Sequence, residues 1–585
     1  MTAAVASELA PAAPTTATSE SVFAALDPSA PGFNMAALLE RWAELQPDTV
    51  AVAVGRGAGS DGSPRFDERT FGELNAMADR YARALSKAGL KAGDRAVLFV
   101  IDPIEFFALV FACCKLQVVF VLIDPGMGVK PLLKCVEEQQ PKAILGIAKA
   151  HVLRTVFAGA FKSATLRVLV GSSFFPGAKA LSKMVDALPA SERDAPFPRE
   201  ALDPNVPAAI FYTSGSTGIP KGVVFTHAMM GGQAKAIRDL FDFEPGEPHV
   251  ACFPLFALIA GSIGMSAVVP EMNLAKPADT DPEKVVEAFR RYGARSGFGS
   301  PALWEPFSRY VEERHDNGAP IELEEVTRLL TAGAPVSPAL HQRLLRALPN
   351  GDVFTPYGAT EALPIAFIGG REVLAKTAAR TSEGKGTCVG APVPGVCVRV
   401  IRVTDDVIER FSSDLEVPRG EIGEIIVKGP LISRVYDKRP QHTALSKIED
   451  EDGFFHRMGD VGYLDDEGRL WFCGRKSHRV VTSEGTLYSV PCEAVCETHS
   501  KVARAALTWV GERPQQTPVM CVELEEGVVE TAALVEEVKV LLAGNAITKG
   551  ISHVRVHPKF PVDRRHNAKI EREKLSVWAA SQLGR

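Results

Sequence analysis

A chain of 585 residues is longer than one ordinary hydrophobic core can organise, so two or more domains are expected. Its 46% hydrophobic and 23% charged residues are those of a globular protein, and a net charge of −6 excludes a general electrostatic drive toward nucleic acid or anionic membranes, leaving only local basic patches open. Ten cysteines without a Cys-x-x-Cys pair predict reduced thiols in a cytoplasmic protein, with Cys113-Cys114 and Cys492/Cys496 as small buried apolar residues rather than metal ligands.

The opening residues are Ala, Thr, Ser and Pro without the basic and apolar regions of a signal peptide, and they predict a disordered tail over residues 1–30. Leu38, Leu39, Trp42 and Leu45 recur at helical spacing between Met35 and Leu45. Thr70 followed by Glu73 forms a capping box that opens a helix carrying Phe71, Leu74, Met77, Tyr81 and Leu85 and ending near Gly89. From Ala96 to Pro125 the chain is conspicuously apolar, yet Asp102, Pro103, Glu105 and Lys115 interrupt it before a membrane-spanning length is reached. It reads instead as strand (Ala96–Val100), helix (Ile104–Lys115) and strand (Val118–Ile123), a βαβ pattern that predicts parallel sheet covered by helices. Strand-like runs return at Ala143–Leu145, Arg167–Val170 and Ala208–Tyr212, and the polar, proline-rich stretch Ala178–Arg199 reads as a surface connection.

After the apolar run Ala208–Tyr212 comes Thr213-Ser214-Gly215-Ser216-Thr217-Gly218-Ile219-Pro220-Lys221-Gly222. Its backbone N–H groups and hydroxyls can wrap phosphate oxygens, Lys221 adds a point charge, and Gly215 and Gly218 remove β-carbons that would block close approach. No Gly-Lys-Ser/Thr ends it, so it is not a Walker A loop. From Val398 the texture changes to short β-like runs at Val398–Ile401, Gly423–Val427 and Arg469–Phe472, separated by charged turns, which predicts a β-rich subdomain. Beyond Gly474-Arg475 a smaller unit begins, with strands over Ala503–Val510, Val519–Leu524 and His553–His557 and a helix over Ala532–Leu542.

The loop is followed in order by Gly333-Ala334-Pro335, Tyr357-Gly358-Ala359-Thr360-Glu361, Gly420-Glu421-Ile422-Gly423-Glu424, Gly459-Asp460, Gly474-Arg475 and Asn567-Ala568-Lys569-Ile570-Glu571-Arg572. In this order and over most of the chain, these strings resemble the adenylate-forming superfamily of acyl-CoA synthetases, firefly luciferases and peptide-synthetase adenylation domains. The resemblance implies an α/β fold: a large N-terminal domain (31–474) of helix-covered, mostly parallel sheets plus a β-rich subdomain, and a small mobile α+β C-terminal lid domain (475–585).

It also implies an enzyme using ATP and Mg²⁺, in which a carboxylate attacks the α-phosphate, pyrophosphate leaves and an acyl-adenylate remains. Thr213, Ser214, Gly215, Ser216, Thr217, Gly218 and Lys221 would hold the β- and γ-phosphates. Tyr357, followed by Gly358 and Ala359, would stack on adenine beside Gly333, Ala334 and Pro335, and Thr360 would bond the α-phosphate. Glu361 is the expected Mg²⁺ ligand, a hard oxygen donor beside triphosphate, with Thr213 as a second metal contact. Asp460 would accept from the ribose hydroxyls, Arg475 would lie near ribose and phosphate, and Lys569 would be the mobile catalytic lysine bridging carboxylate and α-phosphate.

Three features depart from the common pattern. Phe253-Pro254-Leu255-Phe256-Ala257-Leu258 has Ala257 where many acyl-CoA synthetases carry a histidine, the hinge falls at Lys476 or Ser477 without the usual Asp, and His478 is either a phosphate contact or an exposed hinge residue. With the string Phe253–Leu258, the divergent hinge and the ending His566-Asn567-Ala568-Lys569, the chain as a whole most resembles the β-lactone synthetases of bacterial long-chain olefin biosynthesis. That implies adenylation of a 2-alkyl-3-hydroxy fatty acid whose own hydroxyl displaces AMP, in company with a thiolase, a reductase and a decarboxylase. A long-chain acyl-CoA ligase and a non-catalytic adenylate-binding protein are the competing readings. Phe253–Val269 and Gly297–Trp304 read equally as alkyl-chain walls or as ordinary core.

Overall fold

The computed structural model describes residues 19–172, 174–213, 220–562 and 570–584, the side chains of Ser19 and Thr213 excepted. The helix Phe71–Lys87 opens on the expected capping box, with the Thr70 hydroxyl accepting from Glu73 N and the Glu73 carboxylate accepting from Thr70 N. The helix Pro103–Lys115 starts at Asp102, which accepts from Ile104 N and Glu105 N, with proline in its first turn. Every residue of it except Glu105 is buried. Its one buried ammonium, Lys115, is neutralised by Asp79 at 2.6 Å and Glu40 at 2.9 Å, so it belongs to a protein core and not to a bilayer. No helix among the described residues is long and apolar enough to cross a membrane.

Two sheets carry the N-terminal part. The smaller has seven strands, in the order Lys179–Ala180, Leu166–Leu169, Ala143–Gly146, Arg95–Phe99, Val119–Ile123, Pro207–Thr213 and Lys221–Thr226, all parallel except the last. The larger has fourteen strands. Its parallel half runs through Asp352–Ala359, Arg328–Thr331, Ser296–Gly299, Pro248–Ala251, Ser266–Val269 and Val50–Ala58. Its antiparallel half holds the predicted β-rich strands and joins the parallel half through a short seam, where Ala366 faces Pro392 and Phe367 faces Ala391. The β-rich part keeps apolar clusters of its own around Ile425 and Trp471. The largest cluster gathers both sheets and the helices Ala36–Leu45, Phe71–Lys87, Pro103–Lys115, His227–Phe241 and Pro254–Ile263.

Two expectations are corrected. Of the tail predicted over residues 1–30, Ser19–Ala25 is a helix whose Val22 and Phe23 are buried in the main core, with the Arg238 guanidinium 4.9 Å from the Phe23 ring. Two apolar anchors outweigh a composition that otherwise reads as disorder. Ala178–Arg199 lies at the surface but is not simple coil, since it forms the helices Leu181–Asp186 and Ala190–Arg193 and buries Leu181 and Leu188.

Beyond Arg475 the chain builds a three-stranded sheet. Val502–Val510 and Thr517–Leu524 are antiparallel, and His553–Val556 adds parallel to the second. With the helices Ser489–Cys496, Ala532–Ala543 and Arg572–Gln582 it encloses its own apolar clusters. Cys113, Cys114, Cys492 and Cys496 are buried thiols packed among apolar neighbours.

Candidate active site

A cleft of about 2320 Å³ collects Tyr212, near the carboxyl end of its strand, and residues that follow the carboxyl ends of strands from both sheets: Ile101, Asp124, Phe253, Ser300 and Gly333. The carboxyl ends of parallel strands, where helix N-termini and loops converge, are the general ligand site of open α/β sheets. Residues of the C-terminal unit, including His478, Glu493, Arg504 and Ile570, close one side of it.

The polar end is built on a β-hairpin. Strands Asp352–Ala359 and Ala362–Gly369 pair antiparallel, so that Thr360 and Glu361 occupy the turn and reach the cleft. A β-carbon at Gly358 would lie 2.5 Å from Ala362 O, so only glycine permits this tight closure. The Glu361 carbonyl accepts from Ser433 N at 2.8 Å, and its carboxylate Oε1 accepts from the Tyr436 hydroxyl at 2.5 Å. Lys221 Nζ lies 5.0 Å from the Tyr436 ring centroid. Burial lowers the Lys221 pKa, with the Glu361 charge opposing the shift.

Behind this pair lies a buried group the sequence did not single out. Lys447 Nζ donates to Ser433 O, meets His456 Nδ1 at 2.9 Å and lies 6.0 Å from the Tyr436 ring centroid. Burial pushes its amine down to about 7, while burial and Lys447 together hold His456 neutral. His442 lines the cleft near Lys221. None of these residues stands in a recognisable string. A tyrosine in an irregular segment, 75 residues from its carboxylate partner, leaves no local signal.

The residues expected to face the nucleoside form a second constellation. The Tyr357 hydroxyl donates to Asp460 Oδ2 at 2.6 Å, and Arg475 lies 2.9 Å from Asp460 Oδ1. Asp460 and Arg475 face each other across paired strands, which fixes this contact through the backbone. Burial, and then the Asp460 charge, raises the Tyr357 pKa, so the hydroxyl keeps its proton and remains a donor. Gly333 adopts φ +103°, open to glycine, and turns Ala334 and Pro335 onto the same cleft, where Gly358 and Ala359 also lie. Thr213 and Lys221 are paired at the base of the predicted phosphate loop. Ser214, Gly215, Ser216, Thr217, Gly218 and Lys569, like the Thr213 side chain, lie outside the described residues.

At the apolar end, residues read as either wall or core divide by whether they reach the cleft, and Phe256, Leu258 and Phe298 do both. Phe253, Leu255, Phe256, Leu258, Ile259 and Phe298 line the cleft, with Phe256 and Phe298 stacked at 4.1 Å and 7°. Ala257 and Ile263 belong to the main core, and Trp304 is buried against Phe307 with its indole N–H donating to Leu330 O. The histidine substitution at Ala257 therefore falls on a core-facing side chain.

At the hinge the two candidate residues differ. Lys476 is bound to the large part of the chain, donating to Thr404 O at 2.9 Å and lying 3.1 Å from Glu424, itself paired with Arg457. The Ser477 carbonyl accepts from Arg513 of the C-terminal unit at 2.7 Å, and its buried hydroxyl has no partner among the described residues. His478 is neither exposed nor charged. It lines the cleft 3.8 Å from Glu573, and burial lowers its pKa to about 3.

The sequence profile of AMP-binding enzymes matches residues 39–437, more than half of the chain. The chain belongs to the AMP-binding enzyme family. It is thus an adenylate-forming, AMP-forming ligase. Within this AMP-binding family it is 42% identical to the olefin beta-lactone synthetase of Stenotrophomonas maltophilia (strain K279a), over 94% of this chain and 98% of that protein. Identity and coverage are the same for the olefin beta-lactone synthetase of Xanthomonas campestris pv. campestris. Among solved structures, the O-succinylbenzoate coenzyme A synthetase of Bacillus subtilis, in complex with ATP and magnesium ion, superposes with a TM-score of 0.69 at 20% identity, covering 93% of this chain and 99% of that one.

Proposed function

We propose that this ligase uses MgATP to adenylate a long-chain 2-alkyl-3-hydroxy acid and then lets the acid's own hydroxyl displace AMP, giving a β-lactone. The observation that carries this reading is a single cleft whose polar end gathers Thr360, Glu361, Lys221, Asp460 and Arg475 and whose other end is lined by Phe253, Leu255, Ile259 and Phe298. The 42% identity to olefin beta-lactone synthetases over nearly the whole chain supports the choice of acid.

In the first half-reaction a substrate carboxylate oxygen attacks the α-phosphorus of ATP, the bond to the bridging oxygen breaks, and pyrophosphate leaves with the electron pair. Lys221 and the loop it follows neutralise the β- and γ-phosphates, Thr360 donates to the α-phosphate, and Asp460 accepts from the ribose hydroxyls while Tyr357 and Arg475 hold it in place. Glu361 suits a hard divalent cation: Tyr436 orients it through Oε1, and Oε2 takes no hydrogen bond among the described residues. When bound, Mg²⁺ supplies charge neutralisation across the triphosphate. The C-terminal unit turns about Ser477, the first residue tied to it rather than to Glu424, and delivers Lys569 to the carboxylate and α-phosphate.

In the second half-reaction the β-hydroxyl oxygen bonds to the acyl carbon, the acyl–phosphate bond breaks, and AMP departs while the hydroxyl proton is released to solvent. Ring strain opposes closure, but the mixed anhydride is a strong acyl donor and the nucleophile is already tethered. Release of pyrophosphate and AMP from MgATP, measured over a panel of acids, tests the first half-reaction. ADP and phosphate as products would remove it.

A further inference from the structure

The charge of this protein is unevenly placed. Residues 129–183 hold nine Lys and Arg against two Glu, in a chain with a net charge of −6. Of the two acidic residues, Glu138 is engaged elsewhere, 2.7 Å from Arg439. None of the nine cations makes an ion pair among the described residues. Burial first, and then the charge of Arg167, lowers the Arg154 pKa, and the buried Arg154 Nε has no hydrogen-bond partner among the described residues.

The same segment carries several of the most exposed large apolar side chains: Val129 at 50%, Val152 at 52%, Val156 at 66%, Phe157 at 40% and Phe174 at 74%. Val152, Val156 and Phe157 fall on one side of the helix Ala148–Val156 and its end, and Phe174 adjoins Phe175, whose ring lies 5.5 Å from that of His151 on the same helix. Helix and loop flank Lys179–Ala180 and Leu166–Leu169, the outermost strands of the seven-stranded sheet. Lys149, Ala150 and Leu153 of the helix also line the cleft, as does Ile101, so patch and cleft share a rim. Cations without acidic partners around protruding apolar side chains complement a surface that is anionic at its headgroups and apolar beneath. A nucleic acid would answer the charge but not Phe174.

We propose that this outer end of the seven-stranded sheet docks on a lipid surface bearing anionic headgroups, with Val156 and Phe174 inserting and Lys162 and Lys179 pairing with headgroup phosphates. Docking would set the cleft rim at the surface in which long-chain acids dissolve; this consequence rests on the long-chain reading above, while the docking itself does not.

The test is flotation of the full chain with vesicles of phosphatidylcholine alone or mixed with phosphatidylglycerol, without substrate, so that its result is independent of lactone formation. Binding is expected to the mixed vesicles only and to weaken in high salt. Val156→Ser/Phe174→Ser and Lys162→Glu/Lys179→Glu should each reduce it about ten-fold or more, while melting and turnover of a short-chain acid stay as in the unaltered protein. Equal binding to both vesicle types, no binding, or full binding by the charge-reversed variant would overturn the proposal. So would concentration-dependent self-association abolished by Val156→Ser/Phe174→Ser, which would give the patch to a second copy.

Discussion

The two ends of the cleft are specified in different ways. At the polar end, individual atoms are placed by backbone pairing: a hairpin turn presents Thr360 and Glu361, and paired strands set Asp460 against Arg475. At the apolar end, one helix and one strand end offer a surface of Phe253, Leu255, Ile259 and Phe298, whose value lies in area and shape. Charge stabilisation demands particular atoms at particular distances, whereas alkyl-chain binding demands only apolar volume. Substitutions at the polar end should therefore alter the chemical step, and those at the apolar end should alter affinity in proportion to chain length.

The largest effect is expected at Lys569. Lys569→Ala should slow adenylation by roughly 10²–10³-fold and leave the KM for ATP within a few fold, because its ammonium acts on charge that develops in the transition state. Single-turnover pyrophosphate release checks this, and near-normal turnover would assign the terminal motif to another role. Next come Glu361, the proposed metal carboxylate, and its support. Glu361→Gln should shift the Mg²⁺ requirement upward, and Tyr436→Phe should do the same more weakly, with about a ten-fold loss in kcat/KM, the value of one hydrogen bond to a charged group. Magnesium titrations of both variants would separate a loss of metal affinity from a loss of folding.

Smaller changes belong to the apolar end. Leu255→Ala and Ile259→Ala should each raise KM for a long-chain acid by about ten-fold at most, less for shorter acids, with KM for ATP unchanged. A fall in kcat independent of chain length would break the contrast between the two ends.

The last effect concerns stability alone. Lys447 holds its proton only below about pH 7 in the folded chain, whereas in the unfolded chain it does so up to its ordinary value of 10.5. Between those limits the unfolded state binds more protons, so this group adds stability as pH rises and withholds it as pH falls through 7. Lys447→Met removes that slope. Melting curves at a series of pH values should show the unaltered protein gaining on the variant above pH 7 by up to about 1.4 kcal/mol per pH unit.

The same contrast governs what could be read in advance. The capping box at Thr70 and Glu73 was legible because backbone geometry restricts which residues can stand there, whereas Thr360, Glu361, Asp460 and Arg475 stood out by their motifs alone, and their hairpin and strand pairing came from the structure. Tyr436, Lys447 and His456 were not legible, because their roles come from contacts between distant segments. Ala257 shows the reverse limit: it stands where many acyl-CoA synthetases carry a histidine, but it is wholly in the core, whereas its neighbours Phe256 and Leu258, also in that core, reach the cleft. The short helix at Ser19–Ala25 was hidden because only Val22 and Phe23 hold it down.

The central claim is that one cleft both adenylates a 3-hydroxy acid and closes it. The most direct measurement is the NMR and infrared carbonyl spectrum of the product formed from a racemic long-chain 2-alkyl-3-hydroxy acid and MgATP, with and without coenzyme A. The account predicts a β-lactone with AMP and pyrophosphate in the absence of any thiol, and no cyclic product from the analogue lacking the 3-hydroxyl. A thioester as the main product with coenzyme A, and no lactone without it, would contradict the account and leave an acyl-CoA ligase.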